Sequence, residues 1–136
     1  MNTTPDIYEI LYVSTMALTA PVSVVSSIAT RSRVANVKRH ITGLLIFDGE
    51  RFCQQFEGSK SEVTALFERI SCDTRHQNVI LIHEGLLRER RFGNFSMAFA
   101  NTDDFEALNR LQALKGTSAL AAFSTLLQTL DMEARI

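Results

Sequence analysis

Along this chain the apolar positions switch between two periods. Residues Ile7–Ser14 alternate and are rich in Ile, Leu, Tyr and Val, which predicts a strand with two differently used faces. Thr19 followed by Pro21 is a helix-start signal, since proline is tolerated in a first turn. Val25, Ile28, Ala29 and Ser32 then fall on one stripe, so residues 20–35 are predicted to be helical. Gly43–Phe47 and Phe52–Phe56 are predicted strands joined through Asp48-Gly49, a strong hairpin signal. Ser59 with Glu62 has the pattern of a capping box. Val63, Leu66, Phe67 and Ile70 follow at i, i+3, i+4 and i+7, which gives a second helix to about Cys72. Asn78–Leu87 and Phe95–Ala100 read as two more strands.

The rest of the chain has a helical pattern. Asp103 or Asp104 caps a helix carrying Phe105, Leu108, Leu111 and Leu114, and Gly116 ends it. Thr117 or Ser118 starts another, with Leu120, Phe123, Leu127 and Leu130 on one stripe. The order β-α-β-β-α-β-β predicts an α+β fold. Its core is a ferredoxin-like mixed sheet of about five strands with two helices on one face, plus two C-terminal helices. Residues 1–100 would form the main unit, and 101–136 a helical extension of the same domain. Two helices cover only one face of such a sheet. The tail helices are the natural cover for the other, unless a partner, such as a second copy in a homodimer, supplies it.

Period-2 reading of the strands singles out one group. Tyr8, Ile10, Tyr12 and Ser14 share a face, as do Phe52, Gln54 and Phe56, and as do Phe95, Met97 and Phe99. Gln54 is thus a primary amide between two phenylalanines on a face that reads as core. Left unpaired there it would cost about 1–3 kcal/mol. Tyr12, whose hydroxyl donates and accepts, can satisfy it. Two readings are open: the pair bond each other or the backbone, or both point at the edge of a ligand with mixed donors and acceptors.

Other polar residues carry structural readings. Asn36 fits a helix C-cap. Arg69 and Asp73 are spaced i, i+4 as an ion pair, with His76 just beyond. Lys38, Arg39 and His40 read as surface, and Arg88, Arg90 and Arg91 as a solvated turn.

Composition narrows the class. The chain has 136 residues, 46% of them hydrophobic, the size and make-up of one globular domain. Its net charge of −1 invites neither nucleic acid nor an acidic membrane surface. No apolar run approaches the roughly 18 residues that span a membrane. The polar start Met1–Asp6 is no signal peptide. Cys53 and Cys72 form neither a CxxC nor a His-rich cluster, so a zinc site and a disulfide framework are not expected. A soluble protein of the reducing cytoplasm fits. Dinucleotide, P-loop and Gly-x-Ser-x-Gly motifs are absent, and His40, His76 and His83 have no evident nucleophile to serve. A ligand-holding module is therefore favoured over an enzyme.

At this point several stretches together resemble the BLUF domain, a family of flavin-using blue-light sensors. They are Leu11-Tyr12-Val13-Ser14, Asn36 six residues before Thr42 in NVKRHITGLLIF, RFCQQFEG (Arg51–Gly58), LFERISCDTRHQNV (Leu66–Val79) and RRFGNFSMAF (Arg90–Phe99). The resemblance runs in order from about Ile7 to Ala100. It implies FAD held between the two helices that cover the sheet. Tyr12 would match the family's photoactive tyrosine and Gln54 its switching glutamine. Asn36 would match an asparagine that bonds the flavin ring. Arg69, Ile70, Asp73, Arg75 and His76 fall where the family contacts the flavin and its side chain. Light-driven electron and proton transfer from Tyr12 through Gln54 would leave a new hydrogen bond to the flavin and a red-shifted spectrum. Met97 falls at a methionine linked to signal output. Phe95 stands where many members carry tryptophan, so an output model that moves an indole cannot apply here. Ala35-Asn36 replaces an Asn-Asn pair seen in many members. No output domain follows residue 136, so the signal is expected to leave through a surface, to a second copy or to a separate downstream protein. The alternative reading is a ferredoxin-like module that binds a small molecule without photochemistry.

Overall fold

The first strand, β1 (Ile7–Met16), lies inside the sheet because its apolar alternation serves both faces. In the computed structural model the described residues are 6–17, 24–93, 95–102, 104, 106–130 and 132–135. Thr19 and Pro21, the expected helix start, lie outside them, as do Asp103 and Phe105. Helix α1 covers Val24–Arg39, later than the predicted 20–35 at its end. It closes at His40, in the left-handed region at φ 56°. There the Ile41 N–H reaches the Asn36 carbonyl at 2.9 Å and the His40 N–H reaches the Val37 carbonyl at 3.3 Å, a Schellman closure. Asn36 is therefore inside the last turn rather than the cap.

Strands β2 (Thr42–Phe47) and β3 (Arg51–Gly58) form the expected hairpin. Gly49 takes φ 101°, and Asp48 Oδ1 accepts the Glu50 and Arg51 N–H groups at 2.9 and 2.6 Å. Helix α2 (Lys60–Ser71) starts at Ser59, whose hydroxyl accepts the Glu62 N–H at 3.3 Å. Strands β4 (His76–Leu87) and β5 (Met97–Asn101) follow. The tail holds α3 (Ala107–Gln112), α4 (Gly116–Leu127) and a short strand, β6 (Met132–Arg135). Gly116, at φ 59°, opens α4 instead of closing α3, which ends earlier.

The fold is α+β, and the sheet order is β4-β1-β3-β2-β5-β6. The first four strands have the ferredoxin-like arrangement, all antiparallel; β5 joins β2 in parallel, which makes the sheet mixed. The sixth strand was not expected within a helical extension. It pairs antiparallel with β5.

Two layers sandwich the sheet. On one face α1 leans on β2 and β5, and α2 leans on β1, β3 and β4. Each helix has its own apolar cluster: Val25, Ile28, Phe52 and Met97 under α1; Ile10, Phe56, Val63 and Ile70 under α2. On the other face the tail helices bury Leu108, Leu111, Ala119 and Phe123 against Leu11, Val13, Leu44, Ile46 and Cys53. Leu120, Leu127 and Leu130 pack on the same cluster. The tail stripe thus packs on the sheet within the chain, with Phe123 buried and Leu120, Leu127 and Leu130 partly buried.

Candidate functional site

The site begins with a register pair. Tyr12 on β1 and Gln54 on β3 stand directly opposite each other, on the face covered by α1 and α2. Opposed side chains on antiparallel strands lie close enough to bond. The Tyr12 hydroxyl donates to Gln54 Oε1 at 2.5 Å, with Tyr12 fully buried and Gln54 4% exposed. Burial pushes the Tyr12 phenol well above its usual range, with the nearby Cys53 and Asp73 adding to the effect, so it holds its proton. Phe56, Phe67 and His76 surround the Tyr12 ring at 5.9–6.2 Å between centroids.

Gln54 uses its other end differently. Its Nε2 meets the Met97 Sδ at 3.8 Å. A thioether is a weak acceptor, and a primary amide carries two N–H groups, so this end has donor capacity to spare. The spare donor lies on β3, where the cover changes from the α2 cluster to the α1 cluster. A carbonyl-bearing ring edge is the chemistry that such a donor suits, and the flavin that the resemblance implies would have one.

Around this pair the structure gathers some expected residues and separates others. His76 is buried at the start of β4, where Nδ1 lies 2.8 Å from the Ser14 hydroxyl and the ring 5.0 Å from that of Phe52. Burial lowers its readiness to take a proton; Asp73 opposes this and Arg75 adds to it. Asn36, 2% exposed, donates from Nδ2 to the Ser96 carbonyl at 2.7 Å. Arg33, which the sequence did not single out, donates to the Met97 carbonyl at 3.1 Å. Both side chains hang from α1 and hold the entry to β5. Ile70 is buried in the α2 cluster.

Three expectations are corrected. Asp73 does not pair with Arg69, which is exposed on the last turn of α2. Its carboxylate binds Arg75 through the shortest contact, 2.5 Å from Nη2, because the turn after α2 folds Arg75 back on it. The Arg75 hydrogen bonds hold that carboxyl below the usual range. Phe95 does not share a face with Met97. The chain turns between Phe92 and Phe95, where the Phe95 N–H meets the Phe92 carbonyl at 2.9 Å, so strand alternation does not reach back past Met97. Phe95 packs on the tail-helix cluster, and Met97 and Phe99 on the α1 side. Arg90 and Arg91 are not a solvated turn: both guanidinium groups bond back to the sheet.

The sequence reading also passed over Glu9, Gln55 and Glu57, which are buried on the face opposite Tyr12 and Gln54. Their signal was visible as polar residues at every second position: Glu9 within the predicted strand Ile7–Ser14, Gln55 within Phe52–Phe56 and Glu57 just after it. Burial works against the charge on Glu9. The hydrogen bonds from Arg91 and Gln55, with the charges of Arg91 and His83, outweigh it and leave the carboxyl below its usual range.

Comparison with known proteins places the chain in a family. The sequence profile of BLUF, sensors of blue-light using FAD, matches residues 7–98. The blue light- and temperature-regulated antirepressor BluF of Escherichia coli (strain K12) is 31% identical over 100 residues, which is 72% of this chain and 25% of BluF. The dark-state structure of BlrB, a BLUF protein, superposes with a TM-score of 0.75 at 30% identity, over 92% of this chain and 97% of BlrB. Klebsiella pneumoniae BlrP1, solved with FMN and cyclic diGMP, gives 0.65 at 28% identity, over 71% of this chain and 26% of BlrP1. The chain thus spans about a quarter of BluF and of BlrP1. No helix among the described residues is long and apolar enough to cross a membrane. A profile match over most of the chain, on a fold shared with BlrB, means that the chain belongs to the BLUF family of flavin-based blue-light sensors.

Proposed function

We propose that this chain is a blue-light photoreceptor in which FAD lies between α1 and α2 and Tyr12 and Gln54 form the photochemical pair. The observation that carries the reading is the buried hydrogen bond from Tyr12 to Gln54 Oε1, with the other end of the same amide at Met97. Asn36, Gln54, Arg69, Ile70, Asp73, Arg75 and His76 would hold the cofactor. Ile70 offers an apolar wall, and the others offer donors and charge. The family's own description supports FAD; the FMN in BlrP1 supports a site that accepts the shorter flavin too.

When bound, the flavin supplies an electron acceptor that blue light switches on. The chain's part is to donate, to move a proton and to retain the change. Tyr12 keeps its proton in the dark because burial disfavours the phenolate. A phenol that loses an electron becomes strongly acidic, and its proton has a 2.5 Å path to Gln54 Oε1. An amide that accepts a proton there, or rotates, presents a different edge both to the cofactor and to Met97. Low-dielectric surroundings, supplied by Phe52 and Phe56, make each alternative hydrogen-bond pattern strong and mispairing costly.

Met97 opens β5, so a change at Gln54 passes into that strand and to whatever rests on it. A separate downstream protein in the cytoplasm is the receiver in this reading. The role of BluF as an antirepressor supports a protein partner. The chain binds and signals rather than turning over a substrate. The test is an absorption spectrum of flavin-loaded protein before and after blue light. A reversible red shift is expected. A protein that stays colourless after flavin supplementation, or whose spectrum ignores blue light, would leave only a non-photochemical binding module.

A further inference from the structure

On the sheet face away from Tyr12, two acidic side chains stand opposite each other. Glu9 and Glu57 are register partners on β1 and β3, and both are buried. Like charges facing across a ladder repel, and burial raises the cost. Gln55 Nε2 bridges them, donating to Glu9 at 3.0 Å and to Glu57 at 2.9 Å. The Arg91 guanidinium donates twice to Glu9, at 2.8 and 3.0 Å, and His83 Nε2 lies 3.3 Å from it.

Glu57 is satisfied in a different way. Oε1 accepts the backbone N–H of Arg91 at 2.8 Å, and Oε2 accepts that of Phe92 at 2.9 Å and the Thr42 hydroxyl at 2.6 Å. One buried carboxylate therefore grips two consecutive main-chain amides of the connection between β4 and β5. Arg90 tightens the grip, donating to Thr42 Oγ1, to the Glu57 carbonyl and to the His40 carbonyl at 2.8–3.2 Å. Gly43 donates to the Phe95 carbonyl at 3.2 Å. A side chain at position 43 would collide with the Gln55 carbonyl, 2.1 Å from where its Cβ would sit. The gripped segment then enters β5 at Met97, the partner of the Gln54 amide. Gln54 and Glu57 lie on one strand with their side chains on opposite faces. The strand that carries the amide also anchors the segment that delivers the amide's partner.

We propose that Glu57 is a positioning residue for the light response. By holding the Arg91 and Phe92 N–H groups it fixes where Met97 meets Gln54, and so sets how long the light-formed hydrogen-bond pattern lasts. This rests on the reading of Gln54 as the switching amide. Glu57→Gln keeps the size of the side chain but turns one acceptor into a donor aimed at an N–H. Thr42→Val, which removes one donor from Glu57, is the milder second variant. Phe123→Leu, in the tail-helix layer, is the control for general loss of stability.

The experiment uses the full flavin-loaded chain and three readouts: amide hydrogen exchange at Arg91 and Phe92, the Met97 methyl resonance in the dark, and the rate of dark reversion after blue light. In Glu57→Gln, exchange at both amides should accelerate by about tenfold or more, the scale of a lost charge-assisted hydrogen bond. The Met97 methyl should shift, and reversion should quicken by about threefold or more, within the range of measured coupling effects. Thr42→Val should move all three in the same direction by less, and Phe123→Leu should move none. If Glu57→Gln does not fold, Thr42→Val decides alone. Faster exchange with an unmoved Met97 methyl and unchanged reversion would overturn the proposal. So would reversion that tracks the loss of stability in Phe123→Leu. A wild-type protein with no red-shifted state would instead overturn the photochemical reading, and the Met97 methyl would still decide whether Glu57 positions that side chain.

Discussion

The Tyr12 hydroxyl and Gln54 Oε1 are joined by a 2.5 Å hydrogen bond between residues directly opposed on neighbouring strands. The bond needs no loop to bring its ends together; sheet register alone does so. Tyr12→Phe keeps the ring among Phe56, Phe67 and His76 and removes only the donor. It should fold, lose about 1–3 kcal/mol for the stranded amide oxygen, retain flavin and form no red-shifted state. Thermal melting and a light-minus-dark spectrum check both halves. A Tyr12→Phe protein with a normal photoproduct would remove Tyr12 from the mechanism.

Gln54→Leu keeps roughly the volume and deletes the switchable amide. Flavin should still bind, the dark spectrum should already differ, and illumination should leave no red-shifted state. If Gln54 were only a satisfied core residue, the same variant would change stability and leave the photoresponse intact.

Phe95 and Met97 should part company. Phe95 rests on the tail-helix side, so Phe95→Leu is expected to cost about 1 kcal/mol or less and leave the red shift nearly intact. Met97 is fully buried beside Gln54, so Met97→Ala should cost about 2–5 kcal/mol and alter the photocycle. Flash photolysis of both variants distinguishes them; an abolished shift in Phe95→Leu at full flavin occupancy would place the signal path on the other face.

Acid should weaken the fold in two stages. His76 takes a proton less readily when folded than its ordinary 6.5, so the unfolded chain is protonated first and stability falls as pH drops below about 6.5. Glu9 lies below its ordinary 4.5 when folded, so its contribution is present above that pH and is lost as pH falls through its lowered value. Melting temperature against pH should be flat from about 7 to 8, decline in both acid ranges, and fall again above about 9, where the unfolded Cys53 thiol ionises and the buried one keeps its proton. His76→Gln should remove the upper decline, and Glu9→Gln should shrink the lower one, leaving the part that Asp73 contributes.

Phe123, on α4, is 1% exposed and belongs to the cluster on the sheet face away from Tyr12. Phe123→Ala should cost about 3–5 kcal/mol while leaving the dark flavin spectrum of the folded protein unchanged. A spectrum that changes with it would show that the tail layer reaches the chromophore.

What could be read from the sequence were the features set by neighbours in the chain. Strand alternation put Tyr12 and Gln54 on one face, because side chains on a strand change sides at every residue. Asp48-Gly49 specified the hairpin through a glycine free to take positive φ and a side chain that caps its own turn. The i, i+3, i+4 pattern of Val63, Leu66, Phe67 and Ile70 described α2 and its buried stripe. These local rules were enough to bring the central pair together, because its two strands are adjacent and in register.

The tertiary structure decided everything that depended on a turn or on a distant partner. Phe95 left the face predicted for it because the backbone turns before Met97, and alternation holds only while the chain stays extended. Asp73 chose Arg75 over Arg69 because the turn after α2, not helical spacing, set their distance. Arg90 and Arg91 look like surface charges in one dimension. They become fasteners only in the closed sheet, more than thirty residues from their partners in sequence: Arg91 gives its main-chain N–H to the Glu57 carboxylate and its guanidinium to Glu9, while Arg90 donates to the Thr42 hydroxyl and the Glu57 and His40 carbonyls. A local pattern can say that a charge sits at a buried position, but only the closed sheet can say which charge comes to meet it.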